Sequence, residues 1–124
     1  MEHMAKKLFN QAYDPADPYW ILKCYFGRMY EEGNFINCVE SLVQKESFCV
    51  DGAYCNFPDM NSYYEEEHFV GVEFAYGYPP AEDETIIVSE EVCFNYVRML
   101  CEIYLKAHSD KTEIIERLLV RIPD

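Results

Sequence analysis

Hydrophobic positions recur every three or four residues towards both ends of this chain, which is the spacing of the apolar face of an α-helix. Near the N-terminus the pattern predicts a helix that Asp17 caps, Pro18 opens and Gly33 ends, with a second helix directly after it. Gly27 inside the first helix costs about 1 kcal/mol relative to alanine, and we expect it to mark close packing. The apolar positions are Trp20, Ile21, Cys24, Tyr25 and Met29 in the first helix and Phe35, Cys38, Val39, Leu42 and Val43 in the second.

The C-terminal part of the chain has the clearest helical pattern. Ser89 is a favoured N-cap residue, and Glu90 and Glu91 place negative charge where the helix dipole favours it. A helix of about four turns follows and ends near His108, and a shorter helix is predicted from Thr112 to Val120. The apolar positions are Val92, Cys93, Tyr96, Val97, Leu100, Cys101, Tyr104 and Leu105 in the longer helix and Ile114, Ile115, Leu118 and Leu119 in the shorter one.

Between these helical regions, apolar and polar residues alternate with the period of a β-strand. One strand is predicted from Val70 to Tyr76, and Thr85 to Val88 predicts another that lies antiparallel to it. Asp51-Gly52, between Phe48–Val50 and Ala53–Cys55, indicates a tight hairpin, although a single bent strand fits the same residues. The sequence therefore predicts an α+β fold, in which a small antiparallel sheet in the middle of the chain packs against N-terminal and C-terminal helices.

The bulk composition narrows the class of protein. A length of 124 residues suits one domain, and we expect residues 1–7 to be disordered. Hydrophobic residues make up 50% of the chain, which argues against general disorder despite a net charge of −13. The sequence shows no signal-peptide pattern and no apolar run of membrane-spanning length, so we expect a cytoplasmic location. In that reducing compartment the cysteines should be free thiols, and four lie on predicted helix faces: Cys24, Cys38, Cys93 and Cys101.

The charge distribution is strongly one-sided. Between Lys45 and Arg98 lie 52 residues that contain no Lys or Arg, but twelve carboxylates and six tyrosines. A field of one sign repels nucleic acid and anionic lipid and attracts a basic partner, so we expect neither a nucleic-acid nor a membrane partner. A solvated surface without a partner is the alternative, but such surfaces normally intersperse both signs of charge. Because tyrosine supplies amphipathic contact area, the segment predicts a binding surface for a cationic protein.

Candidate catalytic residues are few. Glu67-His68 could form an acid–base pair, whereas a solvent-exposed strand edge is the simpler interpretation. His108 lies near a helix end, where a favourable contact with the helix dipole explains it. The acidic runs Glu65–Glu67 and Glu82–Glu84 do not match an EF-hand, and the cysteines lack metal-ligand spacing. We therefore expect no catalytic residue, no metal and no cofactor; the alternative is a small carboxylate-based, metal-dependent enzyme that uses the region Glu65–His68.

Several segments of the sequence carry a resemblance to a known family. They are Phe48–Asp59, Asn61–Phe69, Gly77–Pro80, Val88–Glu91 and Cys93–Arg98. In these segments the chain resembles the CdiI-type immunity proteins of contact-dependent growth inhibition, in the group that opposes ribonuclease toxins. The likeness extends over most of the chain and rests on overall pattern rather than on one diagnostic motif.

The resemblance implies a non-enzymatic protein that binds the C-terminal ribonuclease domain of a cognate CdiA-type toxin, in a 1:1 complex. The toxin would be RNase A-like or EndoU-like, and we favour EndoU-like. We expect the contacts to lie on the loops Asp51–Glu67 and Tyr78–Glu84, with carboxylates facing toxin Lys and Arg and with tyrosines as anchors. In the alternative, Tyr63 and Tyr64 pack in the core of the protein itself. The predicted contact residues are Asp51, Tyr54, Asp59, Tyr63, Tyr64, Glu65, Glu66, Glu67, Tyr78, Glu82, Asp83 and Glu84.

Overall fold

A computed structural model describes residues 17–123 of the chain, so the prediction for residues 1–7 lies outside the described residues. The described part contains helices at both ends and strands in the middle, which confirms the predicted α+β fold. Its α-helices are α1 (Trp20–Glu31), α2 (Phe35–Val43), α3 (Glu90–Ala107) and α4 (Thr112–Arg121), and its strands are β1 (Phe48–Val50), β2 (Ala53–Asn56), β3 (Val72–Tyr76) and β4 (Thr85–Val88). Short 3₁₀ turns occupy Glu65–Glu67, Glu82–Glu84 and Ser109–Lys111.

The four strands form one sheet in the order β1-β2-β3-β4, with every neighbouring pair antiparallel. Val50 pairs with Ala53, so Asp51 and Gly52 are the two residues of a tight turn. Gly52 has a φ of 86°, a left-handed conformation that glycine adopts without steric cost. The hairpin interpretation is therefore confirmed, and the bent single strand is wrong.

One face of the sheet packs against helix α1. Phe74 of β3 is fully buried, and its ring centroid lies 5.3 Å from that of Tyr25 and 5.7 Å from that of Phe26. Tyr25 is also fully buried, and its hydroxyl donates a hydrogen bond of 2.6 Å to the Phe48 carbonyl. Burial raises the pKa of this hydroxyl, which therefore stays protonated. The buried polar atom thus has a partner, and the bond ties α1 to strand β1.

The C-terminal helices form as the sequence predicts. The Ser89 hydroxyl accepts a hydrogen bond from the Val92 amide at 3.1 Å, and Glu90 and Glu91 occupy the first turn of α3. The apolar face of α3 is buried, and α4 adds two buried side chains to the same core. The buried residues are Cys93, Phe94, Val97, Leu100, Cys101 and Tyr104 from α3 and Ile115 and Leu118 from α4. Of the other predicted apolar positions on α4, Ile114 is exposed.

Two details of α1, its N-cap and the packing of Gly27, differ from the prediction. The N-cap residue is Tyr19, and the Asp17 carboxylate accepts a hydrogen bond from the Tyr19 amide at 2.9 Å. Asp17 also pairs with Lys23, and this bond, with the Tyr19 amide, lowers the pKa of the carboxyl group. A side-chain carbon added at Gly27 would meet nothing within 4 Å, so the expected close packing is wrong.

Strand β3 begins two residues later than the alternation predicts. Val70 lies outside the strand and is 89% exposed. Gly71 separates it from the strand with a φ of 109°, and a side-chain carbon there would stand 2.3 Å from the Val88 carbonyl oxygen. The left-handed glycine turns the chain before pairing begins, so Val70 does not continue the inward row. In the described part of the chain, no helix combines the length and the apolarity that crossing a membrane requires.

Candidate functional site

The structure divides the predicted contact residues between the two ends of the sheet. Ala53 pairs with Tyr76, and Ala75 pairs with Thr85, so the β1–β2 turn and the connection from β3 to β4 lie at one end. The long segment between β2 and β3 lies at the other end, about 13 Å away along a five-residue strand. We call the set at the first end the first acidic cluster: Asp51, Tyr54, Tyr78, Glu82, Asp83 and Glu84. The set at the other end is the second acidic cluster: Asp59, Tyr63, Tyr64, Glu65, Glu66 and Glu67.

Tyr78 is the exposed aromatic residue of the first acidic cluster, with 67% of its side chain accessible. Its ring covers Gly52, and its hydroxyl accepts a hydrogen bond of 2.9 Å from Nη1 of Arg28. The Arg28 guanidinium also donates to Glu32 at 2.7 Å, and this bond, with smaller contributions from Tyr78, raises the pKa of Arg28. Helix α1 therefore fixes the ring of Tyr78 from below while the opposite side stays open to a partner.

The other members of the first acidic cluster differ in their exposure. Asp51, Glu82 and Asp83 are exposed, and Glu84 is half-buried because its carboxylate accepts a hydrogen bond of 2.8 Å from the Ala81 amide. Tyr54 is half-buried on strand β2, where its hydroxyl accepts a hydrogen bond from the Gly52 amide at 3.2 Å. The carboxylates of Asp51, Glu82 and Asp83 can thus meet a cationic group. Tyr54 and Glu84 instead accept hydrogen bonds from backbone amides of the turns.

Tyr63 and Tyr64 are the exposed aromatic residues of the second acidic cluster. Tyr63 is 91% exposed and Tyr64 is 56% exposed, and their ring centroids lie 5.4 Å apart in an edge-to-face arrangement. Neither ring belongs to the core, so the alternative that these tyrosines stabilise the interior is wrong. Three consecutive exposed carboxylates follow them, on the 3₁₀ turn Glu65–Glu67.

Hydrogen bonds within residues 59–68 connect different parts of this exposed segment. The Asp59 amide donates to the Glu67 carbonyl at 2.8 Å, which joins the two ends of the segment. Inside it, the Tyr64 amide donates to the Ser62 hydroxyl at 3.1 Å, and Nε2 of His68 lies 2.7 Å from the Ser62 carbonyl. A preorganised segment loses less conformational entropy when it binds, which favours affinity.

A continuous face of the sheet connects the two acidic clusters. It is the face opposite to the helices. Ala75 on this face is buried, and the other side chains are exposed or half-exposed: Cys49, Tyr54, Asn56, Glu73, Thr85 and Ile87. At the end nearer the second acidic cluster, the Asn56 amide donates a hydrogen bond to Glu73 at 3.2 Å. Ile87 of β4 is 47% exposed beside this pair. This part of the face therefore combines a hydrogen-bonded polar pair with an exposed apolar side chain.

Several residues of this surface were not among the predicted contacts, including Arg28, Asn56 and Ile87. Asn56 lies two positions after Tyr54, and Ile87 lies two positions after Thr85. Because residues two positions apart on a strand point to the same face, Asn56 and Ile87 belong to this surface. The alternation of apolar and polar residues around Val72 and Phe74 separates inward-facing from outward-facing positions, and it could have identified such residues as outward-facing. Arg28 gave no comparable signal, since it reaches Tyr78 across fifty positions of sequence.

In the region Glu65–His68, the contact that involves the His68 ring is with the backbone. Nε2 of His68 donates to a backbone carbonyl, so this ring nitrogen closes the segment instead of facing a carboxylate. Within residues 17–123, no group of three or more His, Cys, Asp or Glu side chains is arranged to hold a metal ion.

His108 takes part in a separate aromatic cluster on the helical side. It is the C-cap residue of α3, its ring stacks on Tyr104 with centroids 4.4 Å apart, and its Nε2 lies 2.9 Å from the Tyr30 hydroxyl. Tyr104 stacks in turn on Phe35 at 4.6 Å. These rings border a concavity of about 340 Å³. The cluster joins α1, α2 and α3, so a packing role explains His108 beyond its position at the helix end.

The fold and the surface together define a small α+β protein with two acidic, tyrosine-bearing clusters at the ends of one sheet. The family model CdiI_4, described as CDI immunity protein, matches residues 18–119. The chain belongs to this family, which confirms the resemblance seen in the sequence. A crystal structure of an immunity protein from Neisseria meningitidis MC58 has a similar fold, with a TM-score of 0.69 and 15% identity over 83% of this chain and 86% of that chain. No curated protein sequence matches the chain.

Proposed function

We propose that this CDI immunity protein neutralises a cognate ribonuclease toxin in the cytoplasm by direct 1:1 binding, without catalysis. The observation that carries the proposal is the pair of acidic clusters, each with exposed tyrosine, at the two ends of one open sheet face. The toxin would be the C-terminal domain of a CdiA-type protein, EndoU-like or RNase A-like.

The charge of this surface suits a ribonuclease partner. An enzyme that binds RNA must offer a basic cleft to the phosphate backbone. Residues 46–97 contain no Lys or Arg, and Arg28, which reaches the first acidic cluster, is paired with Glu32. The exposed carboxylates of the clusters can therefore pair with the lysines and arginines that normally hold RNA, and the toxin loses access to its substrate.

The dimensions of the surface fit one partner. A specific interface buries about 800 Å² on each side, which corresponds to a patch roughly 30 Å across. The two clusters are separated by about 13 Å of strand, so one toxin domain can cover both together with the sheet face between them. Long-range attraction would speed the encounter, and the packing of Tyr63, Tyr64 and Tyr78 would slow dissociation.

The test uses the toxin domain encoded by the gene immediately upstream. The purified immunity protein is titrated into a ribonuclease assay with this domain, and the complex is measured by calorimetry. We expect inhibition that is complete at one equivalent, with no metal required. An upstream product that is not a ribonuclease, or a ribonuclease whose activity is unchanged at excess immunity protein, would contradict the proposal. A stoichiometric metal bound by the purified protein would instead favour the carboxylate-based enzyme.

A further inference from the structure

Strand β4 forms an open edge of the sheet. It pairs with β3 on one side, and within residues 17–123 its backbone pairs with no strand on the other. An edge strand presents a row of N–H and C=O groups to which another strand can bind. Proteins usually protect such an edge with a lysine, a proline or a bulge inside the strand. Thr85-Ile86-Ile87-Val88 contains neither residue, and its register with β3 is unbroken from Thr85 to Val88.

The opposite edge, β1, is less suited to accept a strand. It is three residues long, and its Phe48 carbonyl already accepts the hydrogen bond from the buried Tyr25 hydroxyl. Strand β4 is longer by one residue, and Ile87 beside its edge is 47% exposed. If a partner adds a strand to this sheet, β4 is the favoured site.

Acidic residues lie at both ends of strand β4. Glu82, Asp83 and Glu84 precede β4 directly, and Glu90 and Glu91 follow it after one serine. Lys45 lies 3.1 Å from Glu90 and neutralises part of one end, but Glu91 is exposed. The edge is therefore an apolar strand with a negative group at either end.

This charge pattern identifies the occupant. A second copy of the chain, paired antiparallel along β4, would place its Glu90-Glu91 end against the Glu82–Glu84 end of the first, and each chain carries a net charge of −13. Like charges opposite one another disfavour that dimer. A strand with Lys or Arg at both ends and apolar residues between them would satisfy the same positions.

We propose that the open edge of β4 accepts an extended strand of the basic toxin, so that immunity protein and toxin share one continuous antiparallel or parallel sheet. The inference rests on the proposed function, since it names the part of the toxin that binds. Backbone hydrogen bonds would supply affinity, and side chains beside Ile87 and the acidic ends would supply specificity.

The experiment that tests this compares amide hydrogen exchange in the free protein and in its complex with a catalytically inactive form of the upstream toxin domain. Outward-facing amides of Thr85–Val88 should exchange readily in the free protein and at least about tenfold more slowly in the complex. Unchanged exchange at all four residues, in a complex that does form, would overturn the strand addition and leave the proposed function standing. Absence of any complex would overturn both.

A pair of charge variants supplies the second measurement. E82K with E91K reverses one group at each end of β4, whereas E102K with E116K makes the same change of net charge at exposed positions on helices α3 and α4. We expect the first pair to weaken toxin binding at least about tenfold more than the second, because only the first places cations beside the partner strand. If both pairs of variants lose the same toxin affinity, the net charge of the protein explains the effect, and the placement of the toxin on β4 is overturned.

Discussion

The ring of Tyr78 lies directly on Gly52: a side-chain carbon at position 52 would stand 2.3 Å from Cζ of the tyrosine. A hydrogen bond of 2.9 Å from the Gly77 amide to the Gly52 carbonyl joins the same two segments. The turn between β1 and β2 and the connection between β3 and β4 are thus one unit. Because glycine has no side chain, position 52 leaves room for the Tyr78 ring, which stays in contact with the turn although it is exposed.

Gly52→Ala should therefore lower both stability and toxin affinity. Alanine is strained at a φ of 86°, and its methyl group displaces the Tyr78 ring. We expect a loss of about 1–3 kcal/mol in the free energy of unfolding, measured by denaturant titration, together with weaker binding. Tyr78→Ala should weaken binding with a smaller loss of stability, and a Gly52→Ala protein as stable as the parent would contradict the close contact.

Gly27→Ala should raise the free energy of unfolding. Gly27 lies inside helix α1, and an added side-chain carbon meets nothing within 4 Å. Alanine then reduces the conformational entropy of the unfolded chain at no steric cost, and we expect a gain of about 0.5–1 kcal/mol. A denaturant midpoint below that of the parent would show that the position is packed after all.

Tyr63→Ala should weaken toxin binding without lowering the melting temperature. The ring is 91% exposed, so the free protein loses little packing, whereas an aromatic residue that a partner buries contributes about 2 kcal/mol or more to affinity. Tyr63→Phe is the matched control, because it keeps the ring and removes only the hydroxyl. Unchanged affinity in the alanine variant would place the interface away from the second acidic cluster.

The helices and strands were predictable because each depends on local pattern and on burial. The apolar face of α3 and the Asp51-Gly52 turn are examples in which spacing and turn chemistry agree with the core. The distribution of the carboxylates between the two ends of the sheet was not predictable in the same way. Glu65–Glu67 and Glu82–Glu84 are both loop segments of one acidic stretch, but β3 carries the chain from one end of the sheet to the other between them. The contact of Arg28 with Tyr78 joins two segments that are distant in the sequence. Such a contact depends on how α1 crosses the sheet, and no periodic pattern in the sequence indicates it.

The six thiols should differ in reactivity. Burial raises the pKa of all six thiols, to about 12 for Cys38, Cys93 and Cys101 and well above its ordinary value for Cys55, but Cys49 is exposed on the outer sheet face and Cys24 is half-buried. At pH 8 we expect Cys49 to react first with a thiol reagent, and all six to react after denaturation without reductant. Cys49→Ser should remove the fast phase. A count near zero in the denatured protein would show disulfides.

Toxin association should slow with added salt much more than dissociation speeds up. The exposed carboxylates act on a basic partner through solvent, and at physiological ionic strength their field falls off over about 8 Å. The exposed tyrosines act only at contact, where salt has little effect. Stopped-flow measurements at several salt concentrations separate the two rates.

Neutralising the second acidic cluster tests where this attraction originates. A variant with Glu65→Gln, Glu66→Gln and Glu67→Gln removes three exposed charges and keeps the shape of the 3₁₀ turn, so it should flatten the salt dependence of the association rate. The matched variant Glu102→Gln, Glu113→Gln and Glu116→Gln removes three exposed charges from the helical side. If both variants change the rate equally, the net charge alone steers the toxin; a larger effect at Glu65–Glu67 places the approaching basic surface at that end of the sheet.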